Sequence, residues 1–274
     1  MDLNIIIIMK HPNRICGLIT DFGNKDYFIG TLKGVIKKIN PNAEIIDISN
    51  DIPSYNILPA SFTIDKTYPF FPLETIFLVV VDPGVGTHRK ILLVEYENRF
   101  FIAPDNGVLT PILQKKEKIV AAIDNKNYFL IDTHSTFEAR DKMAPAAAFL
   151  SHGIDPREMT SPIPGFILNP DYFPIPSTHC IEARIVYIDK FGNLMTNVTE
   201  TLLFEALEKS GLSRFKVELN SKEIKAFYDT YGHAGTEPFM LIGSHQNLEI
   251  AINQDSAASA LGARIGQKIL IKFS

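Results

Sequence analysis

Residues 79–89 read Val-Val-Val-Asp-Pro-Gly-Val-Gly-Thr-His-Arg, and this stretch indicates the fold. The apolar run at residues 76–81 predicts a buried strand, which stops at Asp82 and is followed by a Pro-Gly-Val-Gly turn. Arg89 lies on the far side of that turn. Ligands of open α/β sheets bind in the crevice beyond the strand ends. We therefore expect a sheet edge at which Asp82 and Arg89 face a ligand.

On either side of this strand, strand patterns alternate with helix patterns. Alternation of this kind is typical of a mostly parallel sheet covered by helices on both faces. It predicts an N-terminal α/β/α sandwich over residues 14–160. The predicted strands are residues 15–20, 44–48, 76–81, 91–95 and 99–103, and the predicted helices are residues 27–39, 57–65, 109–114 and 145–152.

The composition changes at residue 161. Residues 161–177 contain five prolines, and we expect residues 161–178 to form a proline-rich linker. Beyond it, short strand patterns prevail, which indicates a smaller C-terminal antiparallel β-barrel domain over residues 179–274. Its predicted strands are residues 180–188, 215–219, 222–228, 239–242, 248–252 and 268–273, with one helix at residues 202–209.

Composition narrows the class of protein. The formal net charge of −4 gives no reason to expect nucleic acid or an anionic membrane as a partner. The apolar stretch at residues 5–9 is far shorter than the ~20 residues of a membrane helix, and no basic region precedes it. Only two cysteines occur, Cys16 and Cys180, so no disulfide framework is implied. We expect a cytoplasmic protein.

Several familiar motifs are absent. Gly84 and Gly86 lack the lysine of a phosphate-binding loop and the third glycine of a dinucleotide-binding loop. The sequence contains no Cys-x-x-Cys, His-Glu-x-x-His or Gly-x-Ser-x-Gly motif, and its seven histidines are scattered. We therefore expect no metal site.

Polar clusters follow the apolar runs instead. Taken singly, each has a local explanation, since an Asp at a strand end often caps a helix and Asp-Asn-Gly is a common turn. Taken together, they would bring polar groups to one edge of the sheet. The clusters are residues 20–26, 47–49, 82–89, 103–107, 135–141 and 189–193.

In this order, the clusters resemble those of the S-adenosylmethionine hydroxide adenosyltransferases, or SAM hydrolases, which are relatives of the fluorinases and chlorinases. The resemblance runs from residue 16 to residue 272. It implies an α/β domain followed by a β-barrel. It also implies a homotrimer with active sites between the N-terminal domain of one subunit and the C-terminal domain of the next. The strings that carry it are Ile-Thr-Asp-Phe-Gly (19–23), Val-Asp-Pro-Gly-Val-Gly-Thr (81–87), Ala-Pro-Asp-Asn-Gly (103–107), Ser-Thr-Phe (135–137) and Asp-Lys-Phe-Gly-Asn (189–193).

The reaction that the resemblance implies is attack of water or hydroxide on ribose C5′ of S-adenosylmethionine, which gives adenosine and L-methionine. S-Adenosylmethionine is then the substrate, and no cofactor is expected. The leaving group is a neutral thioether and needs no general acid. The site has to supply an oriented and partly desolvated nucleophile opposite the sulfur.

The resemblance also assigns the substrate-binding residues. Asp21 would hold the ribose hydroxyls, and Tyr55 would lie beside the sugar and the methionine. Asp189 would hold the methionine ammonium group and Ser244 its carboxylate, with His245 where the halogenating relatives carry arginine. The remaining assignments are Phe191, Asn193 and Asn253 at the adenine, and Asn106 and Phe137 in the substrate-binding motifs.

The catalytic set departs from the family pattern at one position. An Asp–Arg–His set is credited with positioning the water, and Asp82 and Arg89 match its first two members. Glu138 stands where the histidine is expected, and His134 is a substitute that does not align. Because Arg89 would lower the pKa of Asp82, we expect this pair to hold and polarise the nucleophile more than to take its proton.

Three alternatives remain open. Glu138 motivates the first, a protein that binds S-adenosylmethionine or adenosine without turnover. The second is a halogenase, but its halide pocket would be formed by Asp82, Val85 and Ala139, of which the first repels an anion and the others offer no side-chain donor. The third is an unrelated hydrolase with its site at the sheet edge.

Overall fold

The structure is a computed structural model and describes residues 14–133 and 136–274. The chain divides into two compact units, with the boundary between Leu168 and Asn169. This boundary lies inside the proline-rich segment that the sequence predicts as a linker. Both ends of that segment are tied to strands, because Pro162 pairs with Ala121 and Pro176 pairs with Ile181.

A seven-stranded sheet forms the centre of the first unit. Its strands are β1 (Ile15–Thr20), β2 (Glu44–Ser49), β3 (Ile76–Val80), β4 (Ile91–Tyr96), β5 (Arg99–Pro104), β6 (Ile119–Ile123) and β7 (Thr160–Pro162). The strand order is β2-β1-β3-β5-β4-β6-β7. The strands β2, β1, β3 and β5 run parallel, and β4, β6 and β7 join them in antiparallel pairs.

Helices cover both faces of this sheet. Successive residues of β3 alternate between two buried clusters: Leu78 and Val80 pack with residues of α1 and α4, whereas Phe77 and Val79 pack with residues of α2 and α3. A strand buried on both faces reads as a continuous apolar run, which is the pattern of residues 76–81. The predicted α/β sandwich is confirmed. The helices are α1 (Phe28–Ile39), α2 (Ile57–Thr67), α3 (Thr110–Leu113), α4 (Ala144–Ser151) and α5 (Pro156–Met159).

The second unit is an antiparallel sheet that curls into a barrel. Its strands are β8 (Ile175–Pro176), β9 (Cys180–Ile188), β10 (Leu194–Thr199), β11 (Phe215–Leu219), β12 (Lys222–Ile224), β13 (Phe239–Ile242), β14 (Asn247–Ala251) and β15 (Lys268–Phe273), and its helices are α6 (Glu200–Ser210) and α7 (Ala257–Leu261). The strand order is β12-β11-β15-β9-β10-β14-β13, with β8 paired to β9.

The ends of this strand order meet. After β12 the chain reaches β13, where Met240 N donates to Ala226 O at 2.8 Å and Tyr228 N donates to Met240 O at 3.0 Å. These bonds bring the two edge strands together, so the predicted β-barrel is confirmed. The predicted strand at residues 222–228 is β12 followed by this bridge. Across the residues described, no helix is both long and apolar enough to span a membrane.

Candidate active site

The carboxyl ends of the parallel strands open onto a cavity of about 400 Å³ in the first unit. Asp21 follows β1 directly and Asp82 follows β3 by two residues, and these strands are neighbours in the sheet. The parallel topology thus brings the two carboxylates to the same edge. The cavity is lined by the carboxylates Asp21, Asp26, Asp82 and Glu138, the aromatic residues Phe22, Phe28, Tyr55 and Phe137, and also Ser54, Val80, Val85, Thr136 and Ala139.

Asp82, Arg89 and Glu138 form a buried row of alternating charge. Arg89 Nε donates to Asp82 Oδ1 at 2.8 Å and to Oδ2 at 2.7 Å, and Arg89 Nη2 also contacts Asp82 Oδ2. The same Nη2 donates to Glu138 Oε2 at 2.5 Å. The side chains of Asp82 and Arg89 are 8% and 7% exposed. The three residues predicted as the catalytic set are therefore in direct contact.

Lys142 extends this row. Its Nζ donates to Glu138 Oε1 at 2.5 Å, so the two oxygens of Glu138 serve different cations. Sequence reasoning did not identify Lys142. The available signal was its spacing of four residues from Glu138, which brings two helical side chains together.

The turn after β3 returns Arg89 to Asp82. Gly84 N donates to Asp82 Oδ1 at 3.2 Å, and Thr87 Oγ1 donates to Gly84 O at 2.7 Å. Gly86 adopts a φ of 80°, a conformation that glycine takes without strain. The Pro-Gly-Val-Gly sequence therefore closes a tight loop that places the guanidinium over the carboxylate.

Glu138 and Arg89 stay charged at neutral pH. Burial would raise the pKa of Glu138, but the Lys142 hydrogen bond and the Arg89 charge outweigh it and lower that pKa. Burial alone would lower the pKa of Arg89, but the hydrogen bonds and charges of Asp82 and Glu138 outweigh burial and raise that pKa. Glu138 is therefore a carboxylate acceptor and not a neutral acid.

Asp21 has a different environment. Burial is the main cause that raises its pKa, and the Asp82 charge adds to the rise, whereas a hydrogen bond from the Tyr55 backbone opposes it. Tyr55 N donates to Asp21 Oδ2 at 2.8 Å. Tyr55 makes this bond with a φ of 64°, which is strained for an aromatic residue, and leaves its side chain 74% exposed at the cavity.

Phe137 forms an aromatic wall of the cavity. Its ring meets Phe22 edge-on at 5.7 Å between centroids and Phe28 at 5.3 Å. The guanidinium carbon of Arg140 lies 5.2 Å from the centre of the same ring. These contacts fix the ring next to Glu138.

Asn106 lies outside the lining of this cavity. Its Nδ2 donates to Val81 O at 2.9 Å, and its Oδ1 accepts from Val108 N at 3.1 Å. The side chain thus holds the ends of β3 and β5 together. His134, the substitute considered for the family histidine, lies outside the described residues.

A second cavity, of about 690 Å³, belongs to the second unit. Asp189 begins the loop between β9 and β10, which lines this cavity. Its Oδ1 accepts from Phe191 N and Asn193 N, both at 2.9 Å, and its Oδ2 accepts from Asn193 Nδ2 at 3.1 Å. Phe191 is 68% exposed at the cavity. The structure therefore brings four predicted residues to one cavity, namely Asp189, Phe191, Asn193 and Asn253.

Ser244 lies outside the lining of that cavity, in the turn between β13 and β14. The neighbouring His245 Nε2 is 3.1 Å from Oε2 of the buried Glu249. Tyr231 donates its hydroxyl to the other oxygen of Glu249 and lines the cavity. Sequence reasoning missed Tyr231 and Glu249, because residues so far apart in sequence give no local pattern. Among residues 14–133 and 136–274, no group of three or more His, Cys, Asp or Glu side chains is arranged so that it could hold a metal ion.

Two family models match the chain. The model of the SAM hydroxide adenosyltransferase N-terminal domain matches residues 16–160, and that of the C-terminal domain matches residues 183–270. The chain belongs to the SAM hydroxide adenosyltransferase family. The two matches fall on the two units of the structure, one on each side of the proline-rich segment.

Individual relatives agree with this assignment. The chain is 29% identical to the (R)-S-adenosyl-L-methionine hydrolase of Methanocaldococcus jannaschii, covering 90% of this chain and 91% of that protein. It is 24% identical to a fluorinase of an Actinoplanes species, covering 94% and 97%. Among solved structures, an uncharacterized conserved protein from Thermotoga maritima matches with a TM-score of 0.82 and 32% identity, covering 94% and 99%.

Proposed function

We propose that this protein hydrolyses S-adenosylmethionine to adenosine and L-methionine. The observation that carries the proposal is the buried Asp82–Arg89–Glu138 row at the wall of a cavity that also contains Asp21. Family membership supports it, as do relatives named (R)-S-adenosyl-L-methionine hydrolase in several organisms. The row places carboxylate acceptors at the carboxyl end of β3, where the cavity opens.

The chemistry suits a site without a strong base. The water oxygen forms a bond to C5′ while the C5′–S bond breaks, and the bonding pair stays on sulfur, which becomes a neutral thioether. The proton leaves the attacking oxygen, so one water is consumed and one proton is released. Asp82 already accepts hydrogen bonds from Arg89 and from Gly84 N, so it orients and polarises the water more than it deprotonates it.

The remaining candidate residues divide the substrate between the two cavities. In the first unit, Asp21 accepts hydrogen bonds from the ribose hydroxyls, since an ionised carboxylate offers several acceptor sites. Tyr55 and Phe137 flank the sugar with aromatic surface. The proposed roles in the second unit are Asp189 on the methionine ammonium group, Ser244 on its carboxylate, Phe191 stacked on adenine, and Asn193 and Asn253 at the adenine edge.

The division of the candidate residues between two units is the reason to propose an oligomeric assembly. We propose a homotrimer in which the cavity of one subunit's first unit is completed by the second unit of the next subunit. The supporting observation is that each unit carries its own polar cavity with part of the candidate set. We further propose that S-adenosylmethionine is the substrate, that no cofactor is needed, and that the protein is cytoplasmic with its thiols Cys16 and Cys180 free.

The test is incubation of the purified protein with S-adenosylmethionine, followed by chromatography of the products. We expect adenosine and L-methionine in equal amounts, in the presence of a chelator because no metal is proposed. An incubation without protein, treated in the same way, is the control that corrects for spontaneous decomposition. Release of no adenosine above this control, across pH and at high protein concentration, would overturn the hydrolase proposal.

Glu138 favours one second candidate, a protein that binds S-adenosylmethionine or adenosine without turnover. The same assay separates the two, because such a protein binds in calorimetry and releases nothing. Adding fluoride or chloride tests halogenation through formation of a 5′-halogenated nucleoside. We expect none, because Asp82, Val85 and Ala139 line the cavity and offer a halide a negative charge and no side-chain donor.

A further inference from the structure

Lys142 lies in the π-helical turn Ala139–Met143, four residues after Glu138, which precedes that turn. Lys142 Nζ donates to Glu138 Oε1 at 2.5 Å, and the two side chains are 17% and 7% exposed. The same Nζ lies 5.7 Å from the centre of the Phe129 ring. π-Helical turns are rare and frequently occur at functional sites. Lys142 is therefore a half-buried cation with a defined partner at the wall of the cavity.

Charge balance explains what Lys142 contributes. Arg89 serves both Asp82 and Glu138, and Asp21 and Asp26 line the same cavity. Where the family resemblance expects a histidine, Glu138 adds a negative charge, and Lys142 cancels that charge. Without Lys142, Arg89 alone would balance Asp82 and Glu138, and protonation of Glu138 would become easier.

We propose that Lys142 is a positioning residue for the hydrolysis: it keeps Glu138 as the carboxylate that holds Arg89 against Asp82. The proposal rests on the function proposed above. Lys142 does not contact the attacking water in this proposal. It affects the water only indirectly, through the geometry and charge of Glu138 and Arg89. The lowered pKa of Glu138 agrees with this role, since the Lys142 hydrogen bond is the largest of the interactions that lower it.

Three variants test the proposal. Lys142→Met removes the charge and keeps the length of the chain, and Lys142→Arg restores a cation. Lys66→Met is the matched control, because Lys66 is 23% exposed, pairs with Asp65 at 3.0 Å and lies 5.7 Å from the centre of a phenylalanine ring, that of Phe62. Adenosine release is measured as kcat and KM against pH, with melting temperatures to confirm folding.

For Lys142→Met we expect the acid limb of kcat to move upward by about one pH unit. At a pH below that limb, kcat of Lys142→Met should be about tenfold lower than kcat of wild type, while KM should differ less than about twofold. Lys142→Arg should restore the limb, and Lys66→Met should leave it unchanged. A folded Lys142→Met protein with the wild-type limb, or one that loses kcat equally at every pH, would overturn the positioning role.

A second measurement does not depend on turnover. Carbon-13 NMR of labelled glutamate carboxyls, with Glu138 assigned by its absence in Glu138→Gln, should show a higher pKa for Glu138 in Lys142→Met than in wild type. An unchanged Glu138 pKa would overturn the proposal even in an active enzyme. If the Glu138 pKa is higher in Lys142→Met but the wild-type protein releases no adenosine, the proposed hydrolysis is wrong and the effect of Lys142 on Glu138 is not.

Discussion

A single guanidinium organises the candidate site at the scale of residues. Arg89 donates to Asp82 and to Glu138, and both carboxylates lie almost entirely out of water. A carboxylate held by a guanidinium in this way is a fixed hydrogen-bond acceptor. The arrangement thus suits a reaction in which the nucleophile needs orientation and the leaving group is already activated by its positive charge.

Replacing Asp82 should separate turnover from binding. In Asp82→Ala we expect adenosine release to fall about 100-fold or more, because the attacking water loses its fixed acceptor and Arg89 loses one of its two carboxylate partners. Affinity for S-adenosylmethionine, measured by calorimetry, should change less than about threefold. Asp47→Ala is the control, since Asp47 pairs with Lys33 on the surface of the same unit. A loss of affinity with kcat retained would show that the role assigned to Asp82 is wrong.

The ionised carboxylate of Asp21 should lower the stability of the folded protein. Its pKa is raised, chiefly by burial, so its ionised form destabilises the folded state, and this cost grows as pH rises from below the unfolded pKa to above the folded pKa. Asp21→Asn should therefore raise the melting temperature by about 1–3 °C near pH 7, and the gain should shrink as pH falls through the raised pKa of Asp21. KM should rise at the same time, because the ribose loses its acceptor. A melting temperature that falls equally at every pH would contradict this account.

At the scale of elements, the sequence predicts most of the apolar strands, with the exception of β6 (Ile119–Ile123), and misses polar ones. β3 could be predicted because its sequence is a continuous apolar run. The structure buries all five of its residues between helices. β10 was missed because it carries Thr196 and Asn197, which are buried only because their side chains find partners in neighbouring strands: Thr196 Oγ1 donates to Leu248 O, and Asn197 Oδ1 accepts from Arg184 N. Partners so distant in sequence leave no local pattern.

The candidate site shows the same limit. Asp82, Arg89 and Glu138 follow recognisable motifs, so their place in the site could be predicted from the sequence. Lys142 could not be distinguished from other lysines, because a spacing of four residues from a glutamate does not show that the pair is buried beside Arg89. Asn106 has the residue type of a ligand-binding amide, but the structure uses both of its polar atoms on backbone groups.

The loop between β9 and β10 should tolerate no side chain at Gly192. This residue has a φ of 88°, and an added Cβ would lie 2.1 Å from Ser256 Oγ and 2.9 Å from Ser256 Cα. We expect Gly192→Ala to destabilise the protein by about 2–4 kcal/mol, measured by urea unfolding, and to weaken adenosine binding. Gly211→Ala is the matched control, because Gly211 has a φ of 70° but open space around it, and should cost only about 1 kcal/mol. Equal costs for the two variants would exclude the clash with Ser256 as the cause.

At the scale of the whole molecule, the candidate residues are divided between two units. Asp21, Asp82, Arg89 and Glu138 belong to the first, and Asp189, Phe191 and Asn193 belong to the second. A head-to-tail ring of identical subunits lets each subunit supply a different surface to each of its neighbours. If the proposed trimer is correct, a defect in the first unit and a defect in the second can be combined in one assembly and still leave intact sites.

Complementation between two inactive variants tests this assembly. Asp82→Ala and Asp189→Ala are co-expressed in equal amounts with different affinity tags, and mixed oligomers are isolated through both tags. An intact site needs a first unit from Asp189→Ala next to a second unit from Asp82→Ala. Every ring of three that contains both variants has one such junction, so about one third of the sites in the isolated mixed oligomers should regain activity. Asp82→Ala mixed with Asp21→Ala is the control, since both defects lie in the first unit and every site should stay inactive. Mixed oligomers of Asp82→Ala and Asp189→Ala that remain as inactive as this control would place each site within one subunit.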